Sequence, residues 1–420
     1  MLALYYLISY TYYLAVKSKG TEELYMDSFV GRSQDVTVIG ERRRKITLFV
    51  IICTACIVVA AGIFFLLARS FMNRSYTSYE VKDETSVTGD SFVKYASYDN
   101  KVLRYSRDGI SAVDASGSTI WNGSYNMVSP SADVCEKYVV AADIGGKSLY
   151  VYNEEGLGRE VVTDYPIVQA CVSASGIIAV LLEQETSNVI NIYNPYDVSS
   201  KLLVEIPTNV DDGYPVCIDI SPEGTNLVAA YVCVTNGKIQ SRVAFYDFTD
   251  VGKNTNCLVG AKNYDETVIA DVRFLGSSDI CIFTDNGFSI WKNARQPRET
   301  YSNTYEEKIK SAFCNSKYIG MVFENSSRTK PYQMKVYGLT GEKVLDLGFD
   351  NDYTSVKMYG DDEILFNSAS ECTIFRINGV KKLSCKVNGK ILQFFPADGI
   401  NKYYLVMDTK IQKIRLKNEK

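Results

Sequence analysis

A pattern that returns every 38 to 53 residues constrains this 420-residue chain more than any other feature. In each unit a short apolar strand closes on a small turn. A second, alternating strand then runs into a dipeptide in which an apolar or aromatic residue precedes a polar or small one. The dipeptides are Val113-Asp114, Tyr152-Asn153, Tyr193-Asn194, Tyr246-Asp247, Trp291-Lys292, Tyr337-Gly338, Phe375-Arg376 and Ile414-Arg415. That interval is the length a four-stranded propeller blade consumes, and a fixed period is the mark of a repeat architecture. The strands ahead of the dipeptides repeat as well. Ile218-Asp219-Ile220 passes through Ser221-Pro222-Glu223-Gly224 into Leu227-Val228-Ala229-Ala230, and Val172 passes through Ser173-Ala174-Ser175-Gly176 into Ile177-Ile178-Ala179-Val180. Ser and Gly at these points supply a tight turn between an inner and a second strand.

The 31 tyrosines recur in alternating runs such as Leu149-Tyr150-Val151-Tyr152, which fit a pleated, half-buried surface. Outside one apolar segment near the N-terminus, no run of ten or more residues has helical periodicity. The expected fold is therefore all-β, a propeller of about eight four-stranded blades, with seven as the alternative count. The last unit, Ile391 to Leu416, has room for three strands only. A fourth strand from residues near Tyr79 to Val87 would complete it, joining the two ends of the chain and leaving no free sheet edge.

The apolar segment, Ile46 to Ala68, contains no charged residue. As a helix it would measure roughly 34 Å, enough to cross a hydrocarbon core of ~30 Å. Arg42, Arg43, Arg44 and Lys45 abut its N-terminal end, and only Arg69 and Arg74 flank the other. The positive-inside rule then predicts a single-pass protein of the cell membrane with a cytoplasmic N-terminus and an extracellular C-terminal domain. The expected organisation is a cytoplasmic tail over 1–45, a transmembrane helix over 46–68, a linker and blade-closing strand over 69–90, and the extracytoplasmic propeller over 91–420. Residues 1–16 are apolar and tyrosine-rich but short for a span. Either they form an interfacial segment, or residues 1–25 lie upstream of a native start at Met26.

Composition narrows the chemistry. There is no histidine, which excludes an imidazole base, Ser-His and Cys-His pairs and His-ligated zinc. The net charge of −4 is small for this length and indicates no binding of nucleic acid. Of the 11 cysteines, Cys53 and Cys56 fall in the apolar segment, leaving nine scattered beyond it. No CxxC pair occurs outside that segment, so these cysteines read as small buried hydrophobes. So many unpaired thiols on an exported domain would suit a cell living without oxygen.

At 109–121, Gly-Ile-Ser-Ala-Val-Asp-Ala-Ser-Gly-Ser-Thr-Ile-Trp resembles the blade signature of quinoprotein-like propellers, with Ala112, Asp114, Gly117 and Trp121 matching. No other blade keeps the Trp; Gly341, for instance, is followed by Leu345. The Ser221–Gly224 turn resembles that of WD-type and TolB-type propellers. The whole layout from Met26 onward resembles an uncharacterised family of single-pass, membrane-anchored propeller proteins of Gram-positive bacteria. Its carriers are the basic stop, one span, and Leu103-Arg104-Tyr105-Ser106-Arg107-Asp108-Gly109-Ile110 running into Trp121-Asn122. The resemblance implies anchoring and fold, and brings no activity or site residues.

The predicted function is a non-enzymatic interaction scaffold or ligand-binding sensor at the cell envelope. It would be held to the membrane by one helix and would bind an envelope protein or a wall-associated ligand. No catalytic, cofactor-binding or metal-ligating residue is assigned, and no cofactor is expected. The alternative is a propeller enzyme, either a quinoprotein-like dehydrogenase or a carboxylate-dependent glycosidase or lyase. Its candidate residues are Asp133, Asp219, Asp271 and Arg273, near inner-strand positions, where the competing reading is that they satisfy backbone groups at the channel. The run Glu306-Glu307-Lys308-Ile309-Lys310 reads as a solvated turn or strand edge, and Tyr403-Tyr404 as alternating strand positions rather than a sugar platform.

Overall fold

A computed structural model of the protein describes residues 35–418, apart from 88–91, 115, 198–200, 209–212, 236, 254–255 and 328. The expectations about residues 1–25 and most of the cytoplasmic tail lie outside the described residues. The chain divides into two units after Asn73.

The first unit contains one helix, Asp35–Met72. Its stretch from Thr47 to Phe71 is long and apolar enough to cross a membrane. Leu48, Phe64 and Leu66 are exposed on it.

The second unit is an eight-bladed β-propeller of four-stranded antiparallel sheets. Blades 1 to 7 are formed by consecutive strands within 94–124, 130–162, 167–208, 214–265, 269–304, 309–349 and 355–386. Blade 8 takes three strands from 391–417 and its outermost strand, Ser78–Ser86, from the beginning of the unit. That strand pairs with Lys410–Lys417 from Ser78↔Lys417 to Ser86↔Lys410, with a bulge between Val81 and Asp83. Glu84 accepts hydrogen bonds from Gln412 and from Lys410 Nζ (3.1 Å) across the seam. The count of eight and the shared closing blade are those the repeat predicts.

Each sheet buries both faces, and the alternation along its strands sorts side chains between two neighbours. In blade 3, Ile178, Val180 and Leu182 enter the core shared with blade 2, while Ala179 and Leu181 enter the core shared with blade 4. Eight such clusters fill the eight interfaces around the ring, the last joining Phe395, Tyr404 and Val406 of blade 8 to Tyr95 and Val102 of blade 1.

The repeated dipeptides have a local cause. In blades 1 to 4 their second residue is Asp or Asn, whose carbonyl or carboxylate oxygen accepts the amides of the turn into the outer strand. Asp114 accepts Ser116 N and Ser118 N (both 2.9 Å), Asn153 accepts Glu155 N and Leu157 N (3.1 and 2.8 Å), Asn194 accepts Tyr196 N (3.1 Å), and Asp247 accepts Thr249 N (2.9 Å). Burial raises the Asp114 carboxyl, but the bonds from Ser116 and Ser118 outweigh it and hold the group below the usual range. The inner turns use serine likewise. Ser173 Oγ accepts Ile177 N (3.0 Å), Ser221 Oγ accepts Asn226 N (3.1 Å), and Gly176 and Gly224 take φ of 82° and 75°, a region that favours glycine.

Trp121 docks between blades, stacking on Tyr152 of blade 2 at 5.4 Å and meeting Tyr98 edge-on at 5.7 Å. All eleven cysteines hold free thiols, and Cys171, Cys217, Cys281 and Cys372 are buried. Cys372 and Cys385 face each other across neighbouring strands of blade 7.

Trp121→Ala should cost about 3–5 kcal/mol of stability, the usual cost of emptying a buried aromatic site, read from the urea midpoint. Titration of the denatured, unreduced protein should find all 11 thiols reactive. A deficit of two would point to Cys372 and Cys385, whose opposed positions fit the Cα spacing of a disulfide.

Candidate functional site: the central channel

The innermost strands, among them Pro130–Cys135, Ile167–Val172, Tyr214–Ile220 and Ile269–Phe274, line the channel. Parallel neighbours at this radius belong to different sheets, so their backbones are not paired by a ladder. Side chains do that work. Asp133 of blade 2 accepts Val172 N of blade 3 (3.0 Å), and Asp219 of blade 4 accepts Phe274 N of blade 5 (2.7 Å). Between them, Gln169 of blade 3 donates to Ile218 O (2.9 Å) and accepts Ile218 N (3.0 Å) of blade 4. Lys94 of blade 1 donates to Pro130 O of blade 2 (3.1 Å). Five consecutive blades are stitched along the channel wall.

Asp271 bonds to its neighbour Val272 N (3.0 Å) and pairs with Arg273 Nε (2.8 Å). The Arg273 side chain is 45 % exposed. Burial disfavours its charge, but Asp271 and Asp219 more than offset it and raise the guanidinium above its ordinary range. Burial pushes Asp219 up to about 7, against the opposing effects of Arg273 and the Phe274 amide, and the nearby Asp133 charge adds to the rise. Asp133 is raised by burial too, opposed by the Val172 amide and Arg273. Lys357 on the inner strand of blade 7 is lowered by burial and by Arg273.

The four residues singled out from sequence therefore share one channel. Two of them, Asp133 and Asp219, serve backbone amides of the next blade, and Asp271 neutralises Arg273. Among the described residues no group of three His, Cys, Asp or Glu side chains converges as a metal ion requires. The acidic-basic run at 306–310 lies at a strand edge, with Glu307 paired to Lys335 (2.9 Å) and Lys308 to Glu324 (3.5 Å). Tyr403 and Tyr404 are buried.

Sequence reading missed a second polar centre, between blades 7 and 8. Lys382, 4 % exposed, donates to Glu363 and to Tyr403 Oη (2.8 Å), and Tyr403 donates to Glu363 (2.6 Å). Arg376 beside them pairs with Asp362 (3.1 Å), while its Nε and Nη2 have no partner. Burial lowers the Lys382 ammonium, with Glu363 opposing. The segment that leads into the closing strand docks here: Tyr76 N donates to Lys382 O (2.7 Å), and Asn401 Nδ2 donates to Tyr76 Oη (2.8 Å). No sequence motif joins its members, and Arg376 stands where the repeated dipeptides already carry a polar residue.

Among the described residues, clefts open on the flanks. One of about 590 Å³ between blades 2 and 3 is lined by Arg159, Glu160, Tyr193 and Lys201. One of about 190 Å³ between blades 4 and 5 is lined by Lys262, Tyr264, Asn286, Glu299 and Asn303. There Lys262 pairs with Glu299 and lies over the Tyr264 ring (4.8 Å).

Eight sheets, a shared closing blade and a channel stitched by side chains define the class: an eight-bladed β-propeller. Over residues 72–416 the chain belongs to the DUF5711 family, a family of unknown function. No curated protein matches the sequence. Similar solved structures include BamB from Moraxella catarrhalis, with 13 % identity, a TM-score of 0.50, and 82 % of this chain and 99 % of that chain covered. Sqt1 from Saccharomyces cerevisiae has 13 % identity and a TM-score of 0.55, with 83 % and 100 % covered. Sqt1 from Chaetomium thermophilum, bound to the N-terminus of the ribosomal protein L10, has 10 % identity and a TM-score of 0.53, with 81 % and 100 % covered.

A carboxyl that holds its proton more tightly folded than unfolded favours the fold at low pH. The contribution of Asp219 is thus fully present below about pH 4 and is lost as pH rises towards 7. Asp219→Asn keeps an acceptor for Phe274 N but cannot ionise. Relative to the parent it should gain about 2–4 kcal/mol between pH 4 and pH 7.5, measured by urea unfolding at each pH.

Proposed function

We propose that this protein is a non-enzymatic, membrane-tethered scaffold or sensor whose propeller binds an envelope protein or a wall-associated ligand outside the cell. On this reading residues 46–68 cross the cell membrane once, residues 1–45 are cytoplasmic, 69–90 link the span to the ring and close it, and 91–420 form the extracellular propeller. The observation that carries the proposal is the use of the channel's polar groups. Asp133, Gln169 and Asp219 are engaged in holding inner strands together, and Asp271 in neutralising Arg273. Among the described residues the acids do not gather as a quinone-bound cation requires. Interaction through loop-lined faces is the use of the fold that needs no such centre.

The tether is supported by the exposed apolar helix and by Arg42 to Lys45 ahead of it. Binding of a protein segment by a propeller of this architecture is exemplified by the Sqt1 that holds the N-terminus of L10. A protease added to intact, wall-stripped cells should remove a C-terminal epitope and spare an N-terminal one. The reverse pattern, or protection of both, would overturn the topology. Purified protein mixed with pyrroloquinoline quinone and calcium should retain no cofactor absorbance after desalting; retention in a one-to-one ratio would return the quinoprotein enzyme to first place.

A further inference from the structure

Eight similar blades would give a propeller whose loop face is chemically even around the ring. This one is uneven. At one end of the ring lie the connections from each outer strand to the next inner strand, together with the hairpins between second and third strands. On that face Phe92, Val128, Tyr165 and Val268 are exposed on connections between blades, and Tyr214 at the start of an inner strand, with Val128 at 75 %. The channel rim beside them exposes Val168 and Val216, each at the inner-strand bulge of its blade. The connections into blades 6, 7 and 8 are polar instead, with Glu306 to Lys308, Asp350 to Asp352 and Asn388 to Lys390.

The arc is bounded at one side by a wall. In blade 4 the second and third strands, Asn226–Thr235 and Lys238–Asp247, run ten residues each, against five each in blade 1. The extra length lifts the hairpin by roughly 13–16 Å of strand, and Val234 near its tip is 70 % exposed. Acidic residues border the apolar side chains. Asp108, Glu183, Glu185 and Asp285 are exposed on the hairpins of blades 1, 3 and 5. The basic residues on the same loops are already engaged. Arg107 covers the Phe92 ring at 4.2 Å, Lys147 donates to Asp164 O (2.7 Å), and Lys238 pairs with Glu266.

We propose that this arc is the docking surface for an extended segment of a partner protein in which basic residues alternate with apolar ones. The inference rests on the interaction reading above and names the face and the chemistry of what it takes. Several exposed apolar side chains on one face of a soluble surface mark a contact site, and their acidic border favours a basic partner and disfavours the anionic surface of a bilayer. The face is also clear of the unit's own N-terminal segment. Tyr76 docks at the opposite end of blade 8, and the strand from Ser78 to Ser86 carries the chain ~27 Å before it reaches this end.

The test uses the full-length protein in its native membranes. A photo-reactive phenylalanine analogue replaces Val128 or Tyr214 on the arc, and Ile120 or Ile400 at the other end of the ring. Adducts should form from the arc positions only, and the attached peptide, once sequenced, should carry net positive charge with apolar residues at the site of attachment. In Glu183→Lys/Glu185→Lys protein of unchanged thermal stability the adduct yield should fall about tenfold, and the yield from the parent should fall with added salt. Adducts from the other end only, an acidic attached peptide, lipid adducts alone, or indifference to the charge reversal would overturn this docking face and leave the interaction reading standing. No adduct from any of the four positions would remove both.

Discussion

Every sheet in this propeller has two apolar faces, and no sheet can bury both unless it has a neighbour on each side. The alternation in Ile178-Ala179-Val180-Leu181-Leu182, which feeds two cores from five consecutive residues, makes the requirement plain. A row of such sheets would end in two exposed faces of Val, Ile and Phe, so only a closed ring satisfies the chain. Closure in turn depends on one antiparallel seam, in which Ser78–Ser86 completes the blade begun by Ile391. The Phe395, Tyr404 and Val406 cluster against blade 1 exists because that seam holds.

The same geometry governs the channel. Blades are tied internally by backbone ladders, but their innermost strands meet side by side without one, and polar side chains take over. Asp133 and Asp219 each give a carboxyl oxygen to an amide of the next blade, and the raised carboxyl of Asp219 reflects how deeply that link is buried.

Most of the fold could be read from the residues because its signals are local. The Asp and Asn of the repeated dipeptides cap turns two to four residues away, so they recur visibly. They fade in blades 5 to 8, where Lys292, Gly338, Arg376 and Arg415 stand in the same place and the turns are built otherwise. The shared blade was legible from arithmetic: three strands remained at the end of the chain and one at its start. The site was legible in its members but not in its use. Asp133, Asp219, Asp271 and Arg273 stood out as polar residues near inner strands, yet which amide each would meet depends on the next blade, 39 to 55 residues on for the two that cross. The Lys382, Glu363 and Tyr403 centre was hidden altogether, since its members lie 19 to 40 residues apart and share no motif.

The seam also sets the timing of assembly. Glu84 finds Gln412 only after 328 further residues have been made. At ordinary rates of synthesis that is roughly 15–65 s during which the first strand has no partner and its edge stays open. The charges of Glu80, Lys82, Asp83 and Glu84 suit a strand that must wait in this way, because they discourage it from pairing with a stranger. Loop closure over so long a span makes the final step slow by topology alone, so nascent rings are the form of this protein most exposed to mispairing and to proteolysis.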